Sequence, residues 1–180
     1  MGARRRSGSR SATPRGRALD PRVAGLLAAV DEGFDRKSWH GTTLRGSLRG
    51  LDAAAASRRP ARGRHNGWEL AVHAAYWKYV VWRRLTGEKR GSFPLTGSNW
   101  FARAGGTDRE WMQDLALLDQ MHARLREAVA ALDPERIDRP VDRTSVTPAW
   151  LVRGIAAHDL YHAGQVQLIK RLQRPRPVSG

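Results

Sequence analysis

The segment Thr147 to Gln173, TPAWLVRGIAAHDLYHAGQVQLIKRLQ, constrains the fold of this chain more than any other. Leu151, Ile155, His158, His162, Gln165, Ile169 and Leu172 recur at alternating spacings of four and three, which places them on one face of an α-helix. Thr147 is a natural N-cap, and Pro148 suits the first turn, where its missing N–H costs nothing. Lys170, Arg171 and Arg174 suit the last turn, and Pro175 with Pro177 ends the helix. Two imidazoles interrupt this apolar stripe at i and i+4. On a rigid helix such a pair can turn its ring nitrogens toward one metal ion. Two ligands are too few for useful affinity, so a third is expected from another helix.

Three further segments show the same design. Asp20 followed by Pro21 opens a helix in which Val23, Leu27, Val30 and Phe34 repeat at helical spacing. Residues Asp35 to Gly41 break it, and a shorter helical piece follows with Leu44, Leu48 and Leu51 on one face. Asp52 to Arg64 is a polar, proline-bearing connection whose alanine run adds a helical turn. Asn66 then caps a second long helix, with Glu69 placed to return a hydrogen bond to the cap and Gly87 to stop it. Its inward stripe reads Leu70, His73, Trp77 and Val80, with Ala74 and Val81 alongside. His73 therefore supplies the missing third ligand for His158 and His162. Thr107 and Glu110 form a capping box for a third helix with the stripe Trp111, Leu115, Leu118, His122, Leu125, Val129 and Leu132, ended by Asp133-Pro134. His122 is a lone histidine on an apolar face, the usual place for a structural one, and is expected outside the metal set. Pro134 to Val146 reads as a polar connector with at most a brief extended piece. Four capped amphipathic helices without internal repeats make an all-α, antiparallel four-helix bundle the expected fold.

The connection Gly87 to Gly106 is long and rich in Gly and Ser, yet it carries Phe93, Trp100 and Phe101. Its aromatics indicate docking, either as one wall or lid of a pocket or as plain anchoring of the connection. Glu69, one turn before His73, can orient that ligand, though the cap with Asn66 is its simpler role. Asp159 lies about 100° around the helix from His158. That direction points away from the ion, toward an outer-shell or surface role beside an arginine. Tyr161 and Gln165 lie nearer the seam, where they either hydrogen-bond a substrate or bound water or simply pack.

A length of 180 residues, 41% hydrophobic and with seven Trp, suffices for one domain with a sizeable core. The absence of cysteine excludes disulfides, thiolate nucleophiles and Cys-type zinc sites. No stretch approaches the length of a membrane span, and the charged N-terminus has no apolar region of a signal, so a soluble, cytoplasmic protein is expected. The net charge of +15, from 32 Lys and Arg against 17 Asp and Glu, raises polyanions as partners. The excess is arginine scattered over helix surfaces and the N-terminal segment, and no recognition helix or nucleic-acid motif accompanies it, so no specific nucleic-acid binding is expected. Residues 1–18 read as a disordered basic tail, 19–174 as the bundle and 175–180 as a C-terminal tail.

The segment WELAVHAAYW around His73, together with HDLYHAGQVQLIKRL around His158 and His162, resembles the DinB/YfiT-like superfamily of four-helix-bundle metalloproteins. The resemblance extends over roughly Leu19 to Gln173. It implies a divalent metal on three histidines, here His73, His158 and His162, inside a bundle with a long crossover between the second and third helices. It also implies a homodimer as a common state. The activities it implies are isomerisation or transfer with low-molecular-weight thiols such as mycothiol or bacillithiol as co-substrates, or metal-dependent hydrolysis.

Three neutral imidazoles leave a divalent ion its full charge and an open position, so a water or thiol there loses its proton near neutral pH. A transferase or hydrolase acting on a small molecule follows. Zinc is the first expectation, with nickel, manganese and iron also compatible with imidazole ligands. The alternative is a non-catalytic metal-binding bundle of a stress response.

Overall fold

Each long helix begins where the sequence supplies a cap. In the computed structural model, which describes residues 18–141 and 144–174, α1 (Pro21–Phe34) starts where Asp20 accepts the Arg22 N–H at 2.8 Å. Two short helices follow, α2 (Leu44–Ser47) and α3 (Ala53–Ser57), before α4 (Gly67–Thr86), α5 (Asp108–Ala130), a 3-10 turn (Pro134–Arg136) and α6 (Pro148–Leu172). The reciprocal capping boxes of Asn66 with Glu69 and Thr107 with Glu110 are both formed, and Thr147 accepts the Trp150 N–H at 3.1 Å. Gly87 closes α4 at φ 77°, the left-handed conformation that favours glycine at this position. The chain is thus all-α; among the described residues there is no strand, and no helix is long and apolar enough to cross a membrane. The arginine-rich segment 1–17 and the end 175–180 lie outside the described residues.

The four long helices pack in a cycle: α1 touches α5 and α6, and α4 touches the same two. Two apolar clusters result. One joins α2 and α3 to Leu70, Val72 and Tyr79 of α4, Leu115 and Met121 of α5, and Val166 and Ile169 of α6. The other joins α1 to Leu125 and Val129 of α5 and to Leu151 and Ile155 of α6. Between them lies a buried polar layer of Lys78, His122 and Asp159.

The structure corrects the sequence reading in four places. The α2 helix stops at Ser47, so Leu48 only caps it and Leu51 is partly buried. The α4 helix is buried on Trp68, Ala71, Val72, Ala75, Lys78 and Tyr79 as well as on Leu70 and His73 of its expected stripe, whose Trp77 and Val80 are only half-buried, because α3, α5, α6 and the 87–107 connection pack around it. On α6 the buried seam runs through Val152, Ala156, Asp159, Ala163 and Val166, with His158 and Gln165 at its edge and Leu172 63% exposed. Asp159, expected in an outer-shell or surface role beside an arginine, instead occupies the core and pairs with the equally buried Lys78 of α4. The ammonium of Lys78, also 4.8 Å from the Phe34 ring centroid, makes a buried carboxylate tolerable in an otherwise aliphatic seam.

Candidate metal centre

The α4 and α6 helices bring three imidazoles together. His73 Nε2 lies 3.1 Å from His158 Nε2, and His162 Nε2 lies 3.0 Å from the same atom. One ligand atom from each ring falls within 4.8 Å of the others, an arrangement that can hold a metal ion. His73 and His162 are buried and His158 is half-buried. His122, by contrast, stacks on Phe34 with centroids 3.8 Å apart and takes no part. Glu69 is likewise outside the cluster, held by its cap, by Arg59 and by His65 at 2.9 Å.

The outer nitrogens decide where the protons sit. His73 Nδ1 is 2.8 Å from the Asn99 carbonyl oxygen, which can only accept, so Nδ1 carries the proton and Nε2 the lone pair. His162 Nδ1 faces Gln165 Oε1 at 2.6 Å, while the Gln165 amide donates to the Tyr161 hydroxyl at 3.2 Å, so His162 has the same tautomer. Two lone pairs therefore aim at His158 Nε2, and a single N–H there can satisfy only one of them. A shared cation removes the conflict. With metal–nitrogen bonds of about 2.0–2.1 Å, neighbouring ligand nitrogens sit about 2.9 to 3.4 Å apart, for right-angle and tetrahedral geometries respectively. Both short contacts lie in that interval, and the donor set fits a divalent ion. His158 Nδ1 is buried without a hydrogen-bond partner, so this ring alone lacks the outer support that its neighbours have.

Burial keeps all three rings neutral at neutral pH. It pushes His158 down to about 3, reinforced by the neighbouring His162 and His73, and His162 down to about 4, against the Gln165 hydrogen bond that favours its charged form. His73 is lowered by burial too, in part offset by the bond to Asn99. Glu69 shows the opposite balance: burial would raise its pKa, but hydrogen bonds from His65 and Arg59 hold it below the ordinary carboxylate range.

The connection between α4 and α5 completes the site. Asn99 adopts φ 63°, a left-handed conformation that Asn tolerates, and its side chain accepts the Trp77 indole N–H at 2.9 Å while its carbonyl takes the His73 proton. Trp100 stacks on His73 with centroids 3.8 Å apart, and His65 stacks on the other face of that indole at 3.5 Å. Of the two readings of this connection, the wall holds for Trp100, while Phe93 and Phe101 anchor it against Tyr76. A cavity of about 590 Å³ opens on the His162 side of the cluster, walled by Trp100, Tyr161, His162, Gln165, Leu168 and Leu172. Gln165 proves to be the hydrogen-bond partner of His162. Asn99, His65 and Trp77 were missed as supporting residues. The aromatics of the connection were the only signal, because a backbone carbonyl and a stacking partner leave no spacing pattern.

Helices that converge three neutral imidazoles beside a cavity define an all-α protein with a candidate site for a divalent metal. Residues 37–166 match the family model described as the DinB superfamily, and the chain belongs to that superfamily. No curated protein and no solved structure matches the chain.

Proposed function

We propose that this protein is a metal-dependent enzyme in which His73, His158 and His162 hold one divalent ion, zinc first, at the edge of the cavity. The observation that carries this is the pair of contacts at 3.0 and 3.1 Å onto His158 Nε2, with the outer nitrogens of His73 and His162 already committed. When bound, the ion supplies positive charge that lets a water or a small thiol lose its proton near neutral pH, for hydrolysis or S-transfer. The chain's own residues do the rest. Asn99 and Trp100 fix the His73 ring, Gln165 fixes His162, and both hold their lone pairs toward one point. The Tyr161 hydroxyl accepts from Gln165, so its own O–H is free to donate to a substrate in the cavity.

The two apolar clusters support a four-helix bundle with a long crossover between its second and third long helices. Rising residue numbers run from the first cluster to the second in both α4 and α5, and the opposite way in α6. Helices α4 and α5 then point the same way, which needs the long connection 87–107 between them.

Metal analysis of the purified protein tests the reading. One equivalent of a divalent ion is expected, lost in His158→Ala and His73→Ala, together with chelator-sensitive turnover of a thiol-conjugation or hydrolysis panel. Failure of the protein to take up zinc, nickel, manganese or iron, or full retention of metal by His73→Ala, would overturn it. Stoichiometric metal without turnover would instead favour a non-catalytic bundle.

A further inference from the structure

The wall of the cavity is chemically lopsided. Its lining contains no Asp or Glu, and Arg64 is the one Lys or Arg in it. The buried acid Glu69, paired with the lining residue His65, is already committed to it and to Arg59. Beyond the histidines the wall turns apolar: Leu70, Ile169, Leu168 and Leu172. Leu168 is 59% exposed and Leu172 63%, so both offer apolar surface on the cavity wall that a ligand can cover. His162 and Leu172 are ten residues apart on one helix, about 15 Å of rise. A cavity of about 590 Å³ whose lining follows α6 from His162 to Leu172 has room for an extended small molecule.

We infer that this cavity takes an elongated amphipathic carboxylate, with its apolar body along Leu168, Ile169 and Leu172, its anionic group at Arg64 and its other end at His162. The inference rests on the three-histidine reading only for the position of that far end. A polar sugar-like ligand would leave the leucines uncovered, and a cationic one would meet Arg64 with no acid to receive it.

Calorimetry with hexanoate, decanoate and decan-1-ol on the full chain, metal-free and metal-loaded, tests it. Decanoate should bind more tightly than hexanoate by about twofold per methylene for a half-covered chain, and more tightly than decan-1-ol. Arg64→Ala should weaken decanoate about two- to fivefold and leave decan-1-ol unchanged. Leu168→Asp, at an exposed position that keeps the helix intact by circular dichroism, should weaken both ligands by about tenfold or more. No chain-length dependence, or an Arg64→Ala effect equal on acid and alcohol, overturns the inference. So does a gain on metal loading that Arg64→Ala leaves untouched, because the carboxylate would then sit at the histidines. If no ligand binds and Leu168→Asp turns a dimer into a monomer, the leucines serve a second copy of the chain and the inference falls. Metal uptake without decanoate binding sinks this inference alone, whereas decanoate binding without metal uptake sinks the metal reading and leaves the cavity its ligand.

Discussion

Gln165 connects one candidate ligand to the cavity, accepting a hydrogen bond from His162 Nδ1–H and donating one to the Tyr161 hydroxyl. Replacing it with leucine leaves His162 Nδ1 without its partner and the ring free to turn. Gln165→Leu should weaken metal binding about 10- to 100-fold, read by competition with a chromophoric chelator, while Gln165→Glu, which keeps an acceptor, should stay close to the parent. The Lys78–Asp159 pair is the second residue-scale case. Both groups are essentially unexposed, so removing one leaves an uncompensated buried charge. Lys78→Met should cost about 3–5 kcal/mol in urea unfolding, and Lys78→Met with Asp159→Leu should recover a large part of it. An unchanged unfolding midpoint in the single variant would show that the pair holds nothing together. The helical angle that separates Asp159 from His158 was legible in the sequence. Its meaning was not, because a polar residue on a wheel is assigned to solvent until a partner such as Lys78 is placed beside it.

Among elements, α1 and α6 approach closely at Gly33, where an added Cβ would lie 3.0 Å from the Ala156 carbonyl oxygen. Gly25, on the same helix, has nothing within 4 Å. The two alanine substitutions should therefore act in opposite directions. Gly25→Ala should stabilise by about 0.5–1 kcal/mol through helix propensity, and Gly33→Ala should destabilise by about 1–3 kcal/mol, because a backbone atom cannot yield. Thermal unfolding of the pair decides it, and equal shifts would refute the close approach. The capping boxes were readable before any coordinates because a cap depends on residues three apart. Burial of α4 beyond its expected stripe was not, since its sequence reports one apolar stripe and the number of neighbouring elements is a property of the assembly.

At the scale of the whole molecule, the buried histidines tie stability to pH. Burial lowers His122 to about 3, with Lys78 and Arg126 adding to the effect, and it lowers His158 to about 3 and His162 to about 4. Each folded-state pKa lies below the unfolded value of about 6.5, so between the two the unfolded chain binds more protons and stability rises with pH. In metal-free protein the stabilisation is complete above about pH 6.5 and falls on acidification toward pH 3–4, by up to about 1.4 kcal/mol per pH unit for each histidine. His122→Met should flatten the slope by about one proton while leaving metal uptake intact, measured as urea stability across that range. An unchanged slope would mean that His122 titrates normally. The same comparison separates His122 from the metal centre, which its stacking on Phe34 already removes from contact.

The sequence by itself determined the helices, their caps and the three histidines, because each is set by neighbours within one or two turns along the chain. The tertiary structure decided what those residues face. It turned α6 so that Asp159 fills the seam and His158 stands at its edge, it laid Asn99 and Trp100 against His73, and it left Leu168 and Leu172 open on a cavity wall. These outcomes depend on contacts between residues tens of positions apart, where the free energy of packing, and not local periodicity, selects the arrangement.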